Sequence, residues 1–235
     1  MSMLFSRVVK QVFATFDKQN LPAFKANLNA LKQLVDQLTV KDLHIQPEFL
    51  TEETFSTPSK APCTYVHIFR NDDVAMSVFI LQGSYTMPLH DHPMMHGILK
   101  AIHGTLKIQS YTKKMQEITF GKEEKYSRVK IEPEKIITMF SECAALTPTE
   151  GNFHEITAVG GVAAFFDILS PPYEADIPIY GVRKCNFYEK IDIGLENELD
   201  LVKVPEPASY YCDIGDYMPP EFLQEYESEK ESDNS

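Results

Sequence analysis

Residues 83–97 have the sequence GSYTMPLHDHPMMHG, in which two histidines are separated by one residue. On an extended backbone, successive side chains point to opposite faces, so His90 and His92 project together while Asp91 points away. Two imidazoles on one face can occupy two adjacent positions around a metal ion. Pro93 then ends the extended run, so a third ligand must come from a distant segment of the chain.

A second motif supplies a candidate for that third ligand. Residues 148–154 have the sequence PTEGNFH, in which proline and glycine predict a turn and His154 enters a predicted strand. An isolated H-x-H pair is more often a surface or structural feature than a metal site. The glycines on either side of the pair, Gly83 and Gly104, together with the later motif, favour a metal site.

The remaining chain predicts helices followed by many short strands. Apolar residues recur at helical spacing from about residue 2 to 38, Pro22 suits the first turn of a helix, and residues 43–62 look irregular. Strands separated by turn residues then indicate a β-sandwich or barrel. The predicted strands cover residues 65–69, 74–81, 86–92, 97–102, 105–111, 127–131, 144–147, 153–159 and 162–169.

Composition excludes several classes of function. The formal net charge of −12 argues against a general nucleic-acid binder and against docking on anionic lipid. No apolar run reaches the roughly eighteen residues of a membrane span, and no secretory signal is recognisable. The four cysteines show no C-x-x-C pairing and are expected to be reduced thiols. We therefore expect a cytoplasmic protein, taken to be a monomer.

Three motifs together resemble one family. They are PLHDHP at 88–93, HGILK at 96–100 and DILSPPY at 167–173. They are similar to the cysteamine dioxygenase (2-aminoethanethiol dioxygenase) family and the related plant cysteine oxidases, within the cupin superfamily, over roughly residues 60–190. The resemblance implies a mainly β fold, the cupin double-stranded β-helix or jelly-roll barrel with N-terminal α-helices. The implied organisation is a helical extension at 1–45 packed on the barrel, a cupin thiol dioxygenase domain at 60–215 and an acidic disordered tail at 226–235.

The resemblance also implies a reaction. A single Fe(2+) would be held by His90, His92 and His154, and both atoms of O₂ would enter a thiol sulfur to give a sulfinic acid. Members act on cysteamine, forming hypotaurine, or on N-terminal cysteines of proteins, marking them for arginine-dependent degradation when oxygen is available. Cupins commonly carry a glutamate shortly after H-x-H, and residues 93–97 offer none. Without a carboxylate ligand the positive charge of the metal is uncompensated, which favours binding of a thiolate. Zinc also binds histidines, so the three ligands alone do not identify the metal.

Two further residues are candidates for catalytic roles. Asp167 lies in an apolar predicted strand, where an ionised carboxylate is costly without a partner. It is predicted to hydrogen-bond a ligand histidine or the substrate amine, or to orient Tyr173; the alternative is that it satisfies backbone donors at the strand end. Tyr173 is a candidate for the pocket mouth, with ordinary packing as the alternative. Some members join a cysteine to a tyrosine two residues later, but Cys185 is followed there by Phe187, so no such bond is predicted.

The positions of the arginines in the sequence help to predict which thiol is the substrate. A free amino-acid carboxylate is usually recognised by an arginine fork. Of the four arginines only Arg183 is a candidate for that role, so cysteamine or an N-terminal cysteine fits better than free cysteine.

His96 is interpreted as a hydrogen-bonded structural histidine, with a place in the pocket as the alternative. The alternative functions are a cupin enzyme with a non-thiol substrate and a cupin metal-binding module.

Overall fold

The computed structural model describes residues 2–114, 126–177 and 181–223. Three α-helices precede or flank the first strand: α1 (Met3–Phe16), α2 (Phe24–Val35) and α3 (Glu52–Phe55). The strands are β1 (Cys63–Arg70), β2 (Ala75–Leu81), β3 (Thr86–Asp91), β4 (His96–His103), β5 (Thr105–Lys113), β6 (Ser127–Ile131), β7 (Lys135–Thr138), β8 (Ala144–Leu146), β9 (Phe153–Ala158), β10 (Ala163–Ser170), β11 (Asp176–Ile177), β12 (Gly181–Val182), β13 (Phe187–Ile191), β14 (Glu198–Val204) and β15 (Cys212–Ile214). The tail predicted at 226–235 lies outside the described residues.

Two large sheets contain thirteen of the fifteen described strands, and β11 and β12 form a separate two-stranded sheet. One has six strands in the order β15-β1-β2-β10-β4-β8, and the other has seven in the order β6-β14-β13-β3-β9-β5-β7. In the second sheet β6 also pairs with β5, so the sheet curls back on itself. The pairs in both sheets are antiparallel except β15, which runs parallel to β1. The predicted mainly β fold with N-terminal helices is confirmed.

The six-stranded sheet is covered on both faces. One hydrophobic cluster joins α1 and α2 to its outer face, where the rings of Phe5 and Phe166 meet edge to face at 6.2 Å. A second cluster lies between the two sheets and includes Leu99, Ile156 and Phe165. Burial of one such aromatic side chain contributes about 1.5–3 kcal/mol, so the helices are held mainly by this apolar contact.

Strand β10 lies at the centre of this arrangement, and all eight of its residues are buried. Alternation along the strand sends Phe166 to the helical layer and Phe165 to the space between the sheets. Asp167 follows Phe166 and so points to the same side as Phe165. A carboxylate is thereby placed in the interior of the β structure by strand periodicity alone.

Several elements differ from the sequence prediction. The stretch predicted to be irregular contains a 3₁₀-helix at Pro47–Leu50 and the short α3, whose N-terminus is capped by the Thr51 hydroxyl. Strands β7 and β11 to β15 were not predicted. In β14 the buried Leu199 and Leu201 alternate with Glu198 and Asp200, but Lys203 falls on the face of the leucines, which weakens the strand signal. Among the described residues, no helix is long and apolar enough to cross a membrane.

Candidate metal centre

The structure brings the three predicted histidines together. His90 on β3 and His154 on β9 are paired in register across two antiparallel strands, and His92 follows the last residue of β3. One ring nitrogen from each side chain lies within 4.8 Å of the other two. All three side chains are buried. The short separations follow from the topology, since in-register neighbours on adjacent strands place their side chains side by side.

Hydrogen bonds fix which ring nitrogen faces inward. Nδ1 of His90 lies 2.8 Å from the carbonyl oxygen of Pro88, which can only accept, so Nδ1 carries the proton. The hydroxyl of Tyr173 donates to the carbonyl oxygen of Asp91 at 2.6 Å, so Nδ1 of His92, 2.8 Å away, donates to that hydroxyl. In both rings Nε2 is left with a free lone pair, which is the form that binds a metal.

The donor set fits a metal ion. Nε2 of His92 and Nε2 of His154 are 3.1 Å apart. Two nitrogens bound at about 2.1 Å to one ion at a right angle are roughly 3.0 Å apart. Burial lowers the pKa of His90 to about 4, and burial together with the neighbouring rings lowers the pKa of His92 well below its usual value. The rings are therefore neutral at pH 7, and three neutral imidazoles suit zinc, iron, copper or nickel.

A cavity of about 400 Å³ opens beside the three histidines. Asp167 and Tyr173, the two predicted catalytic residues, both line it. Most of the other lining side chains are apolar or aromatic: Tyr65, Phe79, Met87, Leu99, Ile156, Phe165, Leu169, Phe187, Tyr210, Tyr211 and Ile214. An apolar cavity with a few converging polar groups is the usual form of a small-molecule site.

Asp167 is the acidic residue deepest in this cavity. Its side chain is 8% exposed, and burial raises its pKa to about 7, with the backbone N–H of Ile168 partly offsetting the rise. Among the described residues, its carboxyl group hydrogen-bonds neither a site histidine nor Tyr173. The carboxyl group is therefore available to a ligand in the cavity, and its charge changes near neutral pH.

Comparison with known proteins identifies the architecture that holds this site. A family model described as PCO_ADO matches residues 34–222. The chain belongs to the PCO_ADO family. The 2-aminoethanethiol dioxygenase of Homo sapiens is 32% identical over 227 residues, covering 85% of this chain and 82% of the relative. Plant cysteine oxidase 2 of Arabidopsis thaliana is 27% identical over 180 residues, covering 76% of this chain and 62% of the relative.

The similarity to a solved structure is weaker. An uncharacterized conserved protein with a double-stranded beta-helix domain from Klebsiella pneumoniae is 14% identical, with a TM-score of 0.38, covering 60% of this chain and 96% of that one. The PCO_ADO match begins at residue 34, within α2, and so extends beyond the resemblance noted over residues 60–190.

In this PCO_ADO chain the residue between the two histidines has its own structural role. The carboxylate of Asp91 accepts hydrogen bonds from the backbone N–H and side-chain amide of Asn186 at 3.0–3.1 Å and from the hydroxyl of Tyr188 at 2.7 Å. Its side chain thus points away from the histidines, as predicted. These bonds fasten the segment that carries Cys185 and Phe187 to β3. Neither Asn186 nor Tyr188 carried a sequence signal, because their partner is 95 or more positions away.

Arg183 was also misjudged as a possible carboxylate-binding residue. Its guanidinium is buried and donates to the carbonyl oxygens of Pro93, Pro172 and Ala175 at 2.9–3.4 Å. It therefore ties the turn after His92 to the turn that carries Tyr173. Arg183 also does not line the cavity beside the histidines, so it is not placed to bind a substrate carboxylate there.

The other residues considered in the sequence lie at different distances from the centre. His96 begins β4, and its ring packs on Phe24 of α2 at 4.9 Å. Its Nδ1 is buried without a hydrogen-bond partner, so the interpretation as a hydrogen-bonded histidine is wrong for that nitrogen. Phe187 is paired with His90, and its ring lies 6.4 Å from the imidazole. Cys185 instead contacts the hydroxyl of Tyr173.

Proposed function

We propose that the protein is an Fe(II)-dependent thiol dioxygenase that converts a thiol and O₂ to a sulfinic acid. The observation that carries the proposal is a buried centre of three neutral imidazoles, joined by no carboxylate among the described residues, at the end of a cavity whose buried acidic group is Asp167. The names of the curated relatives, 2-aminoethanethiol dioxygenase and plant cysteine oxidase, support the same reaction class. Zinc has no redox chemistry, so the reaction calls for a redox-active metal, and we take this metal to be iron, as the resemblance to the thiol dioxygenases implies.

The protein side chains have distinct tasks in this proposal. Nε2 of His90, His92 and His154 would hold the iron, which when bound supplies the electrons for O₂ activation and a binding position for the thiolate. Tyr173 keeps the proton of His92 on Nδ1, so that Nε2 stays available. The apolar wall excludes bulk water from the sulfur and strengthens the electrostatic interactions inside the cavity.

Asp167 is proposed to bind the amine of the substrate. Cysteamine and an N-terminal cysteine both carry an amine two carbon atoms away from sulfur, and neither carries a free α-carboxylate. Three of the four arginines are engaged elsewhere: Arg183 on carbonyl oxygens, Arg70 on the Tyr173 carbonyl and Arg128 on Asp200. Among the described residues, the acidic ones that line the cavity are the buried Asp167 and the exposed Glu206, and no lysine or arginine lines it, so the cavity suits an amine; the net charge of −12 attracts amines as well.

The size of the cavity favours a peptide over cysteamine alone. Cysteamine has four non-hydrogen atoms and fills on the order of 100 Å³, scaled from about 30 Å³ per water molecule. The cavity volume of about 400 Å³ leaves space for the residues that follow a cysteine in a peptide. We propose N-terminal cysteines of proteins as substrates, which would link O₂ to arginine-dependent degradation, with cysteamine as the small alternative.

The test is mass spectrometry of both substrates after aerobic incubation with the iron-loaded protein. A peptide that begins with cysteine should gain two oxygen atoms at its first residue, and an acetylated copy of that peptide should gain none because its amine is blocked. A cupin module or an enzyme for another substrate would leave both peptides and cysteamine unchanged. A parallel incubation with the metal-free protein separates turnover from slow air oxidation of the thiol, which gives a disulfide rather than a sulfinic acid.

We also propose a monomer in the cytoplasm. The four cysteines are free, which fits a reducing compartment. Size-exclusion chromatography with light scattering tests the monomer, and localisation of a tagged full-length chain tests the compartment.

A further inference from the structure

Two thiols meet in the wall of the cavity, away from the histidines. Cys63 opens β1 and Cys212 opens β15, and these residues are direct partners in the parallel pairing of the two strands. Paired residues on neighbouring strands have Cα atoms about 4.8 Å apart, within the roughly 4.4–6.8 Å that a disulfide requires. The two thiols are also close enough to hydrogen-bond, and both cysteines are free.

The environments of the two thiols differ. Cys63 is completely buried in the cluster between the sheets, whereas Cys212 is partly exposed and lines the cavity. A reagent that enters the cavity can therefore reach Cys212 but not Cys63. The hydrogen bond from the Cys63 thiol, with one from Tyr210, lowers the pKa of Cys212 although burial opposes the change. Cys212 is then the better nucleophile of the pair, because the thiolate is the reactive form.

We infer that Cys63 and Cys212 are a reversible dithiol–disulfide pair that is oxidised by low-molecular-weight disulfides, which react first at the partly exposed Cys212. The Cys212 thiolate attacks one sulfur of the small disulfide, which releases one small thiol and leaves a mixed disulfide on Cys212. The Cys63 sulfur, after losing its proton, then attacks the Cys212 sulfur and releases the second small thiol. One small disulfide is reduced to two thiols, and the two cysteines are oxidised to one disulfide.

The cross-link would join the last described strand to the barrel. Strand β15 has three residues and pairs with β1 alone. The segment before it contributes Tyr210 and Tyr211 to the cavity wall, and Tyr210 packs on Phe187 at 5.3 Å. A covalent bond at Cys212 therefore fixes one wall of the cavity to β1. The inference concerns protein thiols and does not depend on the reaction proposed for the histidine centre.

Differential alkylation after anaerobic treatment of the full-length, metal-loaded protein with glutathione disulfide tests the pair. Exclusion of oxygen prevents any dioxygenase reaction on the protein's own thiols. Trypsin should release residues 61–70 joined to residues 204–230 through Cys63 and Cys212, and dithiothreitol should separate them. The Cys143→Ser variant should give the same cross-link, since Cys143 contacts Lys32 and Asp36 rather than another thiol.

Single variants identify the order of attack. Cys63→Ala should accumulate a glutathione adduct on Cys212, and Cys212→Ser should leave Cys63 unmodified because the oxidant cannot reach it. If the buried Cys63→Ala variant does not fold, wild type and Cys212→Ser still decide the matter. A stable glutathione adduct on Cys212 of the wild type without the cross-linked peptide would overturn the inference. So would a wild type in which both thiols remain alkylatable at high ratios of oxidised to reduced glutathione.

Discussion

The hydroxyl of Tyr173 lies 2.8 Å from Nδ1 of His92. Because the same hydroxyl donates to the Asp91 carbonyl, it accepts the imidazole N–H and holds the ring in one tautomer. We expect Tyr173→Phe to weaken metal binding by about 10- to 100-fold, the usual effect of losing a partner of a ligand histidine. Competition with a chelator measures the affinity.

Tyr217→Phe is the matched control for this change. The Tyr217 hydroxyl is buried without a hydrogen-bond partner, so its removal should leave metal affinity unchanged and should not lower stability. Equal metal affinities for Tyr173→Phe and Tyr217→Phe would refute the role of Tyr173.

The three histidines are expected to act as one unit in metal retention. His90→Ala, His92→Ala and His154→Ala should each purify with little or no iron, because two imidazoles with no carboxylate nearby make an incomplete ligand set. Elemental analysis gives the iron stoichiometry, and circular dichroism verifies the fold. His96→Ala is the control, since that ring packs on α2 away from the centre, and it should retain iron. Wild-type iron content in His154→Ala would remove the basis for a three-histidine site.

The pH dependence of turnover should report Asp167. Burial raises its pKa from the ordinary value of 3.8 to about 7, so the carboxylate needed to bind an amine is lost as pH falls through 7. With cysteamine, whose aliphatic amine stays protonated over this range, kcat/KM should fall as pH drops from 8 to 6. Asp167→Asn should lower kcat/KM at pH 8 by about 10- to 100-fold, the value of a hydrogen bond to a charged group, and should make this part of the profile less steep, with the titration of the substrate thiol as the remaining slope.

The same shift predicts an effect on stability that needs no substrate. Because the folded-state pKa is raised, the folded protein binds more protons than the unfolded chain between about pH 4 and 7. This contribution to stability is present below pH 4 and is lost as pH rises through 7. Urea unfolding of the metal-free protein should therefore show less loss of stability with rising pH in Asp167→Asn than in wild type. Parallel curves for the two proteins would contradict the shifted pKa.

The sequence predicted the histidines and Asp167 for a definite physical reason. Strand alternation places His90 and His92 on one face, and a buried acidic residue in an apolar strand is costly unless it has a role. Neither argument reaches the groups that position them. The hydrogen-bonded residues Asp91 and Tyr188 are 97 positions apart in the sequence, and Arg183 and Pro93 are 90 positions apart. No local sequence pattern encodes such contacts. Strand β15 was missed for a related reason, since its partner β1 lies far away along the chain, whereas β13 and β14 pair with each other.

The turn between β4 and β5 offers the sharpest test of the fold itself. Gly104 has φ +64, and a Cβ built on it would lie 2.3 Å from the carbonyl oxygen of Val162 and 3.0 Å from the Cα of Ala163. Gly104→Ala therefore meets two penalties: a left-handed backbone, which costs about 1–2 kcal/mol, and a steric clash with backbone atoms of the neighbouring chain segment that cannot easily move. Gly160→Ala isolates the first penalty, because Gly160 has φ +74 and open space around the added Cβ.

We expect Gly160→Ala to lower the free energy of unfolding by about 1–2 kcal/mol and Gly104→Ala to lower it by more than that. Urea unfolding of the metal-free proteins is the suitable measurement, because bound metal would add its own stabilisation. Gly104 directly precedes β5, which pairs with β9, the strand that carries His154. A shift of that turn should therefore also weaken metal retention in Gly104→Ala, whereas Gly160→Ala should bind metal normally. Equal losses of stability in the two variants would mean that a Cβ at position 104 has more room beside the carbonyl oxygen of Val162 than the backbone geometry indicates.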